Sequence, residues 1–257
     1  MSMGRIWAIA SNGFREVIRD RVLYLIGLFA LLLVIALRLL PEVAATTENK
    51  ILIDFGLAAI NGLGVIVAVF AGTGLINKEI EKRTLLVLIP KPVNRAEFII
   101  GKHLGLSAVL AVLIVAMTAI YFVLLSFSKI DYPVGSILVA ILYLFLELSL
   151  VAAVALLFGV FTSSLLATLL TFGVYLMGNL STDLVTLGNL SRNSNIQTLT
   201  QGLFLVLPNL SLLNLKNKAV YNLLPSPLEL LGNGVYGLVY TVMLLAIAIL
   251  IFSRREF

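Results

Sequence analysis

The sequence predicts an all-α, polytopic membrane helix bundle with six transmembrane helices and an N-terminal amphipathic helix at the membrane interface. Composition is the first reason. Hydrophobic residues make up 60 % of the 257 residues and charged residues 12 %. A soluble domain runs at about 45–50 % apolar and about 25 % charged. This chain therefore has too few polar groups to cover a surface facing water, and its mean hydropathy of +1.09 agrees. The second reason is that the apolar residues gather in runs close to the ~20 residues a helix needs to cross ~30 Å of hydrocarbon. The third is the uneven placement of Lys and Arg along the chain.

The N-terminal stretch, residues 3–20, is amphipathic. Met3, Ile6, Trp7, Ala10, Phe14, Val17 and Ile18 fall on one helical face, and Arg5, Asn12, Glu16 and Arg19 fall opposite. A helical period with Trp and Phe on one side and basic residues on the other suits a helix lying in the membrane interface. Packing on another part of the protein is the alternative, and the interface is preferred.

Six spans follow, at about 22–40, 55–76, 104–125, 137–161, 165–180 and 231–252. Each is rich in Leu, Val, Ile and Ala. Helix is the expected form, because an isolated strand cannot satisfy its backbone in lipid. The first run is too long for the apolar part of a signal peptide and ends at Pro41-Glu42, so it is expected to be retained despite the small residues Val43-Ala44-Ala45. The fifth run is the shortest. Small residues recur in the second span (Gly56, Gly62, Gly64, Gly72, Gly74), and Gly101 and Gly105 form a GxxxG pair before the third. Such residues let helices approach closely.

Orientation follows from basic residues. With the N-terminus inside, the inner segments hold twelve Lys or Arg and the outer segments five, with Arg38 near the outer end of the first span. This predicts both termini in the cytoplasm, in a prokaryotic plasma (inner) membrane. The charge of +5 is thereby assigned to loops facing anionic lipid rather than to nucleic acid.

The inner loop, 77–103, reads NKEIEKRTLLVLIPKPVNRAEFIIGKH. Glu79 and Arg83 are spaced to pair on a helix face. The run 84–89 is apolar but too short to span, and Pro90 and Pro92 break the chain. Asn94 with Glu97 three residues on has the form of a capping box opening a new helix. A short apolar segment between charged flanks should dock on something: the protein's own membrane interface, or a groove on a partner. On the outer side, 181–229 is long for a plain connector, and re-entrant or interfacial helices are expected within it. Ser194-Asn195 and 214–217 read as turn chemistry.

Two polar residues lie inside spans. Glu147 is mid-way along the fourth, where a carboxylate costs about 2.5–3.5 kcal/mol on insertion scales. A hydrogen bond fixing helix packing is preferred over a substrate or proton contact. Asn61 in the second span is a weaker case, as is Asn179 at the end of the fifth. No catalytic residue and no cofactor is expected. There is no cysteine, and His103 is the only histidine, so disulfides and Cys/His metal sites are out. No GxxxxGK[ST] occurs, so the chain lacks a phosphate-binding loop of its own.

The segment 77–105 resembles the first cytoplasmic loop of permease subunits of type-2 ATP-binding-cassette (ABC) exporters. The similarity is carried by Glu79 and Glu81, Thr84, the aliphatics 85–89, Pro92, Arg95, Glu97 and Gly101-Lys102. The N-terminal helix, Glu147 with its Ala/Leu-rich sequel, Pro208-Asn209 to Lys216, and the Ser253-Arg254-Arg255 ending extend it over nearly the whole chain. It leans towards the branch associated with multicopper-enzyme maturation, although a chain without Cys or a His-rich patch is a poor copper handler. The resemblance implies a non-catalytic permease that pairs with a second permease subunit, as homodimer or heterodimer, and binds two cytoplasmic ATPase subunits. It also implies a coupling helix whose ATPase contacts fall on Glu79, Glu81, Arg83, Thr84, Lys91, Pro92 and Arg95, and transport by alternating access. Two other readings stay open: an ion-coupled secondary transporter using Glu147, and a non-transporting membrane scaffold.

Overall fold

The computed structural model describes residues 2–43, 48–81, 94–191 and 194–254. Among these residues every regular element is helical. Helix α1 (Met3–Val17) passes through a π-helical turn (Ile18–Val22) into α2 (Leu23–Val43), and α3 (Glu48–Glu81) and α4 (Arg95–Phe127) follow. Then come α5 (Val134–Phe161), α6 (Ser164–Asn179), α7 (Ser181–Leu190), α8 (Ser194–Val206), a 3-10 turn (Leu210–Leu212), α9 (Lys216–Val220) and α10 (Pro227–Arg254). Five of these, α2, α3, α4, α5 and α10, are long and apolar enough to cross a membrane, and the number reaches seven if each of two bent helix pairs is one span.

Helix α5 is the centre of the bundle, packed against α3, α4, α6 and α10. Lipid tails are as apolar as Leu, so helices in a membrane associate through close packing and hydrogen bonds rather than through exclusion of water. The glycines of α3 serve this. A Cβ at Gly56 would overlap the Tyr121 ring, one at Gly64 would overlap Leu148, and one at Gly72 would lie 2.7 Å from the Ala155 Cβ. Tyr121 completes its contact by donating to the Ile53 carbonyl at 2.9 Å. Gly62 has open space around it, so not every glycine of the stripe marks a crossing.

The fifth predicted span needs restating. Helix α6 has 16 residues, about 24 Å at 1.5 Å per residue, which is short of the ~30 Å hydrocarbon. It ends at Asn179, and the chain bends by 64° into α7. A second bend, of 59°, separates α8 from the 210–220 segment. The backbones pack closely just before the break. The Pro208 carbonyl comes within 2.7 Å of where a Cβ on Gly178 would stand, and Leu210 within 2.9 Å. The chain thus returns from α8 and inserts Leu210, Leu213 and Leu215, all fully buried, beside the end of α6. It leaves again through α9 to Asn222, whose side chain accepts from Ser136.

Candidate functional site

Two polar clusters stand out, one at each level of the bundle. The first gathers at the end that carries both the start of α1 and the finish of α10, around the opening turns of α4. Asn94 caps α4 by accepting from Ala96 N–H at 3.2 Å, and Glu97 closes the capping box by accepting from Asn94 N–H at 3.3 Å. The same carboxylate accepts from Ser2 N–H at 2.6 Å and has Arg5 at 3.8 Å. Glu97 therefore caps two helices at once, α4 and α1. The hydrogen bond from Ser2, then that from Asn94 and the charge of Arg5, hold its carboxyl below the usual carboxylate value against the opposing effect of burial.

Arg95 turns to the other end of the chain. Its guanidinium donates to the Phe252 and Ser253 carbonyls at 2.8 and 2.5 Å. Cations suit the last turn of a helix because its carbonyls have no partner within the helix. Phe98 stacks on Phe252 with ring centroids 5.6 Å apart. The first turn of α4 is thus fastened to the last turn of α10.

One turn further on, Lys102 is only 2 % exposed. Its ammonium lies 3.3 Å from a Glu16 oxygen at the end of α1 and makes a second ion pair with Glu79 at the end of α3. Two carboxylates on one buried ammonium tie three helices at one point. Gly101 and Gly105 flank this lysine, and α1 crosses here. A Cβ at Gly105 would stand 2.6 Å from the Ala10 carbonyl oxygen, and one at Gly101 2.7 Å from Ile9. The apolar face of α1 is therefore divided. Ile6, Ala10, Gly13 and Val17 are buried, whereas Met3 and Trp7 remain 83 % and 77 % exposed. The alternative, packing on another part of the protein, describes the buried part of this face, which docks on α4.

The second cluster lies mid-way along α5. Glu147 is 1 % exposed and accepts from the Asn179 side-chain amide at 3.0 Å. That amide donates its other hydrogen to the Tyr175 carbonyl, and its oxygen accepts from Asn214 at 2.9 Å. Asn179 thus uses both donors and its acceptor to hold the α6 break, α5 and the returning segment together. Lys216 adds its charge to the surroundings of Glu147. Asn61 donates to the Tyr175 hydroxyl at 3.1 Å.

Of the residues singled out in the sequence, Glu79 and Arg95 belong to the first cluster, and Glu147 and Asn61 to the second. Only the backbone of Glu81 is described. Arg83, Thr84, Lys91 and Pro92 lie outside the described residues. Sequence reasoning passed over Lys102 as a hub, although a lysine inside a GxxxG pair was a signal. The turn expected at Asn214 is present, its N–H donating to the Leu210 carbonyl, and its side chain also reaches Asn179, 35 positions away. His103 is buried and directs Nε2 to the Ser149 carbonyl at 3.1 Å, where it must donate. Among the described residues no group of three or more His, Asp or Glu is placed to hold a metal ion.

Interlocked helix ends at one end, and two bent helix pairs that are each a broken span or a re-entrant segment, belong to a polytopic membrane helix bundle. The chain belongs to the ABC-2 family: the model described as "ABC-2 family transporter protein" matches residues 7–257. A comparison with curated proteins returned no match.

Proposed function

We propose that the chain is the permease subunit of an ABC exporter, which moves its substrate by alternating access driven by separate cytoplasmic ATPase subunits. It works beside a second permease subunit, a copy of itself or a relative. The charged end of the bundle faces the cytoplasm, with both chain ends. The observation that carries this reading is the construction around residues 82–93. The helices on either side of that segment are ion-paired through Glu79 and Lys102. The same opening turns of α4 also grip α1 and the end of α10. A push delivered to the segment is therefore passed to four helices together, as a rigid-body mechanism requires. The ATPase contact falls on Glu81, Arg83, Thr84, Lys91 and Pro92, while Glu79 and Arg95 hold the helices on either side of them. Met3 and Trp7 rest in the membrane interface.

The test is a mild-detergent pull-down of the tagged chain from its native cells. A stoichiometric ATPase is expected, and it should be lost when residues 84–92 are replaced by a Gly/Ser linker. Absence of an ATPase, in a preparation that keeps other membrane complexes intact, overturns the proposal and turns attention to an ion-coupled carrier using Glu147.

A further inference from the structure

A cleft of about 380 Å³ runs between the α1–α2 elbow and α3. It lies apart from both polar clusters except for Glu16, which it shares with the Lys102 hub. Its size falls in the range of small-molecule and cofactor sites, roughly 300–1,000 Å³. Its shape and the order of its lining are informative. Along α3 the lining runs from Ile66 through Phe70 to Lys78. Twelve residues of helix make about 18 Å at 1.5 Å per residue, close to half the hydrocarbon thickness of ~30 Å. The apolar lining includes Val22, Leu25, Ile66 and Phe70, and among the described lining residues the charged ones are Lys78 and Glu16, at the shallow end. The π-helical turn at residues 18–22 shapes the elbow side, and such turns often mark functional positions. Gly74 keeps the cleft open. A Cβ there would meet only the far end of the Lys78 side chain, at 3.8 Å.

We propose that this cleft is a binding site for one phospholipid of the leaflet at the charged end, an aminophospholipid such as phosphatidylethanolamine. One acyl chain lies along α3 between Phe70 and Leu25. The headgroup sits at the rim, its phosphate towards Lys78 and its ammonium towards Glu16. The length of the apolar part selects a single leaflet's chain, and the two rim charges select a headgroup carrying both signs. The bound lipid fills the angle between the elbow and α3, so it stiffens the joint where α1 meets the first span. The site follows from the cleft alone and holds whether or not the chain is a permease.

The test is native mass spectrometry of the full chain, taken from nanodiscs containing phosphatidylethanolamine, phosphatidylglycerol and phosphatidylcholine in equal parts and released into detergent. Wild type should keep one phosphatidylethanolamine per chain in preference to the other two. Gly74→Leu fills the cleft and should lose that lipid. Gly62→Leu adds the same side chain on the same helix in open space and should keep it. Lys78→Gln leaves the cleft open and should weaken retention, which covers the case in which Gly74→Leu does not fold. Equal retention of all three lipids by wild type means annular lipid only and overturns the proposal. So does unchanged retention in both Gly74→Leu and Lys78→Gln. Disulfide formation between copies carrying cysteines at positions 25 and 70 also overturns it, since a second copy would then cover the cleft.

Discussion

The two polar clusters solve the same problem, holding helices together, by opposite means. At the end of the bundle the connections are ionic: Lys102 with Glu16 and Glu79, Arg95 on the α10 carbonyls, and Glu97 under Ser2 and Arg5. Mid-way along α5 there is one carboxyl, and the links are carried by the amides of Asn179 and Asn214 and the phenol of Tyr175. The difference follows the dielectric. Helix ends near the water boundary can keep charges at moderate cost, and ion pairs there make stiff joints. Deep in hydrocarbon each charge costs several kcal/mol, so amides make the hydrogen-bonded links there, with the charge of Lys216 in the surroundings of Glu147. What is fastened differs as well. The ionic cluster binds the ends of long helices, and the amide cluster binds a break and a returning segment.

The largest effect should come from Lys102→Met. It leaves Glu16 and Glu79 facing each other without their cation. Breaking a buried pair from one side costs about 3–5 kcal/mol, and partial exposure of both glutamates places this case near 3. Thermal unfolding of the purified chain in detergent measures it. Adding Glu16→Gln and Glu79→Gln should restore most of the loss. If Lys102→Met alone unfolds like wild type, the ionic cluster is decoration and the contrast with the amide cluster collapses. Gly105→Leu comes next. Its side chain would meet the Ala10 carbonyl, and overpacking of this kind costs about 1–3 kcal/mol. Because the chain has no cysteine, a disulfide engineered between α1 and α4 can report the crossing cleanly. The bond should form in wild type and fail in Gly105→Leu.

How much of this was legible beforehand divides along the same line. Hydropathy and length revealed the long helices, and Asn94 with Glu97 announced the start of α4, because both signals are local. Asn179 and Glu147 could each be flagged as polar residues in lipid. Their pairing could not be read, since it depends on where α6 breaks and on the close approach of Pro208 and Leu210 to Gly178, about 30 residues away in sequence. Likewise the face of α1 gave its helical period correctly. Periodicity, however, does not distinguish lipid from a neighbouring helix, and α4 covers half of that face. Lys102 was hidden because its two partners lie on α1 and α3, far off in sequence.

The amide cluster yields a smaller pair of effects. Glu147→Gln keeps an oxygen for the Asn179 amide, so stability and, on the permease reading, transport should change little. Glu147→Leu removes the acceptor and strands a buried donor, at about 1–2 kcal/mol. The measurement is the difference in unfolding temperature between the two variants. Equal and large losses would mean that the negative charge itself matters, and the picture of neutral joints would need replacing.

The smallest expected effect sharpens the ionic side. The Glu97 carboxyl is held below its ordinary value of 4.5 by the Ser2 and Asn94 hydrogen bonds and the Arg5 charge. A lowered carboxyl stabilises the fold fully above the unfolded-state value, and that contribution is lost as pH falls through the lower folded-state value. The start of α1 should therefore loosen in an acid window opening below about 4.5. Trp7, the only tryptophan, sits on that helix two residues from Arg5 and reports the loosening by its emission. Glu97→Gln keeps an oxygen for Ser2 but cannot titrate, so its Trp7 emission should stay flat across the window in which wild type changes. An identical acid transition in both proteins would show that Glu97 is not the group responsible, and Glu97 would then be a cap for α4 alone.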